Sequence, residues 1–328
     1  MKMFIKIALL IILTSPIIWA QQPVELGKVA WLRDYDVALT KSDAQDKPVF
    51  IQFQEVPGCS TCTTYGKRVL SNPLIVETIE HYFIPLAIHN NKGGKDKEIL
   101  KKYNEPTWNN PVARIVDKKG KNITKRLSGN FSELAVVNLL MEGMIESAIP
   151  IPGYLELLQE ELSAESRGTQ ETVFSMFCFW TGEKEIAEIP GVLTTDAGFM
   201  NGAEVVKIKY DPNVVSLDKL AKTAHKQNCA SAVFTDVKKE QELIENKTRL
   251  ATRGTGKYRD DKENKYFLYK SKYRTIPMTH LQATRVNNRI ANKLNPEELL
   301  SPNQLAILNS EKANKNMIGQ SIDKIWEL

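Results

Sequence analysis

Two cysteines, Cys59 and Cys62, follow directly on an apolar run, Val49–Gln54 (VFIQFQ), and this constrains the chain more than any other feature. Asp46-Lys47-Pro48 precedes the run and Val56-Pro57-Gly58 follows it, so it reads as one buried strand feeding a helix over Cys59–Leu70. A thiol at that junction lies at a helix N-terminus, whose partial positive charge favours the thiolate and makes Cys59 the attacking nucleophile. Only Ser60 and Thr61 intervene, so the second thiol can close a disulfide with the first. Zinc would need two further ligands at workable spacing. There is no second cysteine pair, and His81, His89, His225 and His280 are scattered. The pattern therefore predicts redox chemistry with no metal and no cofactor.

The elements around the pair alternate. Pro73–His81 reads as a helix, Phe83–His89 as a strand, Lys92–Tyr103 as a polar helix, Pro111–Asp117 as a strand turned back at Lys118–Lys121, and Phe131–Met144 as a closing helix. That order predicts an α/β unit with a mixed sheet. On VFIQFQEVPGCSTC, the helix after it and Asn110-Pro111, residues Lys28–Gly143 resemble the thioredoxin superfamily. Within it they are similar to a bacterial group in which some members carry selenocysteine at the Cys59 position. The resemblance implies a thioredoxin fold over residues 28–145 and a cis-proline, Pro111, facing the disulfide and contacting substrate.

Composition shifts at Ile149–Gly153 and again at the polar stretch Ser163–Gln170, so residues 146–170 are expected to be a linker. Residues 171–328 form the second unit. Its strand, helix, strand (Val192–Gly198), strand (Glu204–Tyr210) and helix (Ser216–Gln227) fit an α+β ferredoxin-like two-layer sandwich. Val237–Lys265, charged and weakly periodic, is expected to be an exposed helix and a mobile loop. Cys178 follows the first strand, and alone it would read as an inert buried residue. The run Phe177–Leu220 changes that reading. Cys178-Phe179-Trp180, Pro190-Gly191-Val192, Ala203-Glu204-Val205-Val206 and Tyr210-Asp211-Pro212 stand in the order found in A-type peptide methionine sulfoxide reductases, which this run resembles.

The resemblance implies that Cys178 attacks the sulfoxide sulfur while Glu204 protonates the departing oxygen, leaving a sulfenic acid on the enzyme. It makes Phe179 and Trp180 the wall that receives the substrate methyl group and Tyr273, in Lys272–Thr275, a donor to the sulfoxide oxygen. Cys229 is then either a resolving thiol or a small buried residue at a helix end. The chain departs from the family pattern at Phe177, Thr181 and Phe199, and Gly202 runs straight into Ala203 where the family carries a further stretch. Asn228-Cys229 replaces its His-Asp. The pocket is therefore expected to be rebuilt or more open.

Charge matters only for partners. The formal charge is +5, and Lys2 and Lys6 fall in the leader, so +3 remains without it. No concentrated basic patch is visible, so nucleic acid is not an expected partner. The leader itself, residues 1–20, has a basic start, the apolar run Ile7–Leu13 and a small residue at Ala20, which reads as a signal peptide. A periplasmic or secreted protein follows, with no stable membrane insertion after cleavage. The reading at this level is an exported peptide-methionine (S)-S-oxide reductase supplied with electrons by its own Cys59/Cys62, acting on oxidised protein or peptide and recharged by an upstream thiol donor. A flexible tether would put the dithiol at an effective concentration of order mM. The alternative is a thiol–disulfide oxidoreductase or isomerase whose second unit only binds substrate. A redox-responsive interaction module, with Cys59–Cys62 as sensor, is the non-enzymatic reading.

Overall fold

The computed structural model describes residues 22–108, 111–227, 229–310 and 315–328. The expected signal peptide, Asn110 and Asn228 lie outside the described residues. Among those described, no helix is long and apolar enough to cross a membrane.

The first unit runs α1 (Tyr35–Gln45), β1 (Val49–Gln54), α2 (Ser60–Arg68), α3 (Pro73–Tyr82), β2 (Ile84–His89), α4 (Lys95–Lys102), β3 (Val112–Val116), β4 (Leu127–Ser128) and α5 (Glu133–Glu146). Its sheet has the order β2-β1-β3-β4, with β1 parallel to β2 and antiparallel to β3. Helices cover both faces, so every residue of β1 is buried. Val49, Ile51 and Phe53 point to the core shared with α1 and α4, whereas Phe50 enters the core under α3 and α5. Polar Gln52 and Gln54 are buried as well, and both make hydrogen bonds. Side-chain caps fix the helix starts: Asp34 for α1, Asn72 for α3 and Ser132 for α5.

The expected linker is wrong over most of its length. Residues Gly153–Arg167 form α6, which includes part of the stretch expected to be a polar loop. Two faces of this helix are apolar. Tyr154, Leu155 and Leu158 enter the core of the first unit, while Leu157 and Ala164 pack with Leu193 and Leu281 of the second. Burying both faces outweighs the polar composition that suggested a break.

The second unit runs β5 (Gln170–Met176), α7 (Phe179–Ile186), β6 (Val192–Met200), β7 (Ala203–Tyr210), α8 (Leu217–Lys226) and β8 (Ala230–Phe234). Then come α9 (Lys238–Lys247), β9 (Ala251–Arg253), β10 (Arg259–Asp260), α10 (Tyr266–Tyr269), α11 (His280–Ala291) and α12 (Pro302–Leu308). The sheet order is β10-β6-β7-β5-β8-β9. Its four central strands pair antiparallel in the ferredoxin-like order. Asn201 and Gly202, with φ of 49° and 79°, close β6 onto β7 in a two-residue turn. The segment expected as a loop before Lys265 instead supplies both edge strands, β9 on β8 and β10 on β6.

Later parts of the chain return to the first unit. The Trp326 indole N–H donates to the Ser71 carbonyl at 3.2 Å, and Lys28 Nζ lies 4.4 Å from its ring centroid. The Asn303 N–H, in α12, donates to Glu77 of α3. With α6, these contacts make the junction a packed interface in place of the flexible tether expected above.

Candidate functional site

Cys59 is the N-cap of α2 and is exposed, whereas Cys62, one turn in, is completely buried. Both are free thiols with their sulfurs 3.9 Å apart. The N–H of Cys62 points at the Cys59 sulfur and holds its pKa below the usual thiol value. Burial acts on Cys62 in the opposite direction and pushes it up to about 11. The two thiols are thus unequal: one is exposed with a lowered pKa, the other buried with a raised one. Gly58 makes this possible: a Cβ there would lie 2.5 Å from the Glu55 carbonyl and 2.6 Å from Cys62 Cβ. The Gly58 N–H donates to buried Glu25 Oε1 at 2.9 Å, and Gln54 Nε2 donates to the carbonyls of Glu25 and Cys62. Glu25 escaped the sequence reading because nothing in Val24-Glu25-Leu26 marks it as a neighbour of residues 58–62.

Pro111 is buried at the start of β3. Phe53 pairs with Val112, so Pro111 lies at the same end of the sheet as Cys59. The peptide bond expected to be cis begins at Asn110, outside the described residues; Val56–Pro57 is a cis bond. A groove of about 440 Å³ opens beside α2, lined by Ser60, Thr61, Thr64, Arg68 and Phe131 among others. Glu55, Cys59 and Cys62 place their donor atoms within 4.8 Å of one another. That gives three donors where a structural zinc site takes four.

Cys178 occupies the same kind of position in the second unit: it is the N-cap of α7 and is half-buried. Glu204 Oε2 accepts the Phe179 N–H at 3.0 Å, so the carboxylate is fixed at the helix start one residue beyond the thiol. Phe179 is buried against Trp180, with centroids 5.3 Å apart, and against Phe199, also at 5.3 Å. Phe199 pairs with Glu204 across the β6–β7 hairpin, which is how strand register delivers the carboxylate to the aromatic group. The structure thus brings Cys178, Phe179, Trp180 and Glu204 together.

Two expected members are elsewhere. The Tyr273 hydroxyl donates to Glu297 Oε1 at 2.9 Å, and its ring packs with the cluster around Leu268 and Ile276. Burial and the Glu297 carboxylate push it up to about 12. The tyrosine at the aromatic wall is instead Tyr266, stacked on Trp180 with centroids 4.0 Å apart. Cys229 meets the site through its backbone only: its carbonyl accepts the Phe177 N–H, while its thiol turns into the core and donates to the Ala224 carbonyl at 3.2 Å. Burial, reinforced by the Glu185 carboxylate, raises that thiol to about 11. In this structure Cys229 is a small buried residue near the end of α8. Phe177, beside Cys178, is 72% exposed.

Residues 30–118 match the model of a thioredoxin-like family, in agreement with the sheet order and the helix-capping Cys59. The first unit is thioredoxin-like. The peptide methionine sulfoxide reductase MsrA of Salinispora arenicola is 34% identical over 93 residues, covering 23% of this chain and 42% of that protein. MsrA 1 of Rhizobium meliloti is 38% identical over 73 residues, covering 17% and 34%. The chain thus spans less than half the length of these curated relatives. Among solved structures, a DsbH oxidoreductase is similar at a TM-score of 0.32 and 16% identity over 39% of this chain and 92% of its own. A thioredoxin from Thermus thermophilus is similar at a TM-score of 0.32 and 21% identity over 36% and 89%.

Proposed function

We propose that the chain is an exported thiol oxidoreductase that reduces methionine sulfoxide in peptides at Cys178, with Cys59 and Cys62 as a dithiol that returns the enzyme to its reduced state. The observation that carries this reading is the Glu204 carboxylate held on the Phe179 N–H, next to Cys178 and against the aromatic group. The Cys178 sulfur attacks the sulfoxide sulfur, Glu204 supplies the proton to the oxygen, and the oxygen passes to the enzyme as Cys178 sulfenic acid while methionine leaves. A thiol then condenses with the sulfenic acid, releasing water and forming a mixed disulfide. Attack by a second thiol frees Cys178. Cys59 and Cys62 have the split reactivity those two steps require. The composition of residues 1–20 supports export to a periplasm or the exterior.

One observation favours a second reading. The Cys229 thiol faces the core, so the second unit offers no local thiol to resolve Cys178. A thiol–disulfide oxidoreductase whose second unit binds oxidised proteins would need none. The experiment is methionine formation from an S-sulfoxide peptide with dithiothreitol, for the wild type, Cys178→Ser and Cys59→Ser. The first reading expects Cys178→Ser to abolish turnover and Cys59→Ser to retain it. Absence of turnover in the wild type, with insulin disulfide reduction intact, overturns it in favour of the second.

A further inference from the structure

Glu183 lies on α7 one and a half turns beyond Cys178 and is completely buried. Among the described residues no side-chain cation forms an ion pair with its carboxylate, and the Lys265 ammonium acts on it only electrostatically. Glu183 accepts three backbone N–H groups instead: Ala197 of β6 at 3.1 Å and Lys265 at 2.9 Å on Oε1, and Tyr266 at 3.3 Å on Oε2. Lys265 has a left-handed backbone, φ 56°, unusual for a residue with a Cβ. That conformation turns two successive N–H groups toward one carboxylate. Lys265 Nζ, itself buried, donates to the Thr195 carbonyl and to Asp196 Oδ1, both at 2.9 Å, and rivets the same turn to β6. Asp261, at the start of the segment, accepts the Trp180 indole N–H at 3.3 Å. Tyr266, at its end, stacks on the Trp180 ring.

The segment 261–266 thus wraps Trp180 and is fastened to the helix of the nucleophile by one carboxylate. We propose that Glu183 is a positioning residue that holds Tyr266 behind Trp180 and so sets the shape of the apolar wall presented beside Cys178. The inference rests on the sulfoxide-reductase reading, in which that wall receives the substrate methyl group. Glu183 touches neither the thiol nor the substrate. Its loss should weaken capture of substrate and leave the chemical step, which belongs to Cys178 and Glu204, intact. Burial, which pushes Glu183 up to about 7, fits a carboxylate retained for its acceptors in an apolar setting.

The test is a double-mutant cycle with Tyr266. Glu183→Ala and Tyr266→Ala should each raise KM for an S-sulfoxide peptide about tenfold with kcat within about twofold, and the double variant should be no worse than the poorer single. Additive KM changes, or a fall in kcat at constant KM, overturn the proposal. A second readout needs no activity. The Trp180 emission, isolated by subtracting the Trp180→Phe version of each protein, should change in Glu183→Ala as it does in Tyr266→Ala. An unchanged emission overturns the placement even when turnover is measurable. If wild type turns over no sulfoxide, the proposed reaction fails, and the emission still decides what Glu183 holds. Should Glu183→Ala not fold, Glu183→Gln keeps the acceptor for Ala197 and Lys265 but presents a donor to Tyr266. A smaller emission change of the same sign is then expected, and none refutes it.

Discussion

Three of the four thiols, Cys59, Cys62 and Cys229, should react with iodoacetamide in two classes, and the gap can be worked from the structure. At pH 7 an ordinary thiol with the reference value of 9.0 is about one part in a hundred thiolate, while one raised to about 11 is about one part in ten thousand. A more basic thiolate is also the better nucleophile, and a Brønsted slope of about 0.4–0.5 recovers about tenfold of that hundredfold deficit. Cys62 and Cys229 should therefore react at least about tenfold more slowly than an unperturbed thiol on ionisation alone. Complete burial of Cys62 and near-complete burial of Cys229 slow them further. Cys59 is exposed and its pKa is lowered, so it should outpace an unperturbed thiol in thiolate content. Brief labelling of the reduced protein followed by peptide mass spectrometry should find Cys59 modified first, and Cys62 and Cys229 modified only after urea is added. Cys62 labelling at the Cys59 rate in the folded protein would refute the division of roles argued from α2. Cys229 labelling at that rate would reopen its part as a resolving thiol.

Two further perturbations have defined outcomes. Gly58→Ala forces a Cβ onto the Glu55 carbonyl and Cys62 Cβ, so urea denaturation should show a loss of about 1–3 kcal/mol together with a changed Cys59 alkylation rate. Glu105→Gln removes the carboxylate that binds Arg114 and Arg126, each at 2.7 Å, and should cost about 3–5 kcal/mol because two partly buried guanidiniums lose their partner. Burial works to raise the Glu105 pKa, but hydrogen bonds from Arg126 and Arg114 outweigh it and hold it below its usual value. The stabilisation is therefore present above the unfolded carboxyl value and is lost as pH falls through the folded one. An acid titration of Tm should show a steeper fall for wild type than for Glu105→Gln, and parallel curves would count against the pairing.

What could be read from the sequence was whatever is local along the chain. The strand before Cys59, the helix it caps, and the order of strands after Cys178 all follow from runs and turns of neighbouring residues. Glu204 is legible only through the family resemblance, since the pairing with Phe199 that brings it to the start of α7 is a matter of strand register. The errors came from residues whose partners are remote. Ser163–Gln170 is polar, yet Ala164 packs on Leu193 and Leu281 and Arg167 ends a helix. Lys265 sits in a charged stretch that composition assigns to solvent, yet its cation is buried between Thr195 and Asp196. Tyr273 and Tyr266 cannot be told apart by spacing. Only the tertiary fold puts one on Glu297 and the other on Trp180.

The contact of Trp326 and Ile322 with the core under α3 also bears on timing. Everything needed for the first sheet is present once residue 146 has been made, but part of the cover over that core is encoded only after the second sheet and its helices. At a synthesis rate of about 5–20 residues per second, roughly 10–40 s separate the two events. For that interval the core lacks the two side chains, Ile322 and Trp326, that pack on its edge. That edge of the core is closed only when residues 322–327 arrive.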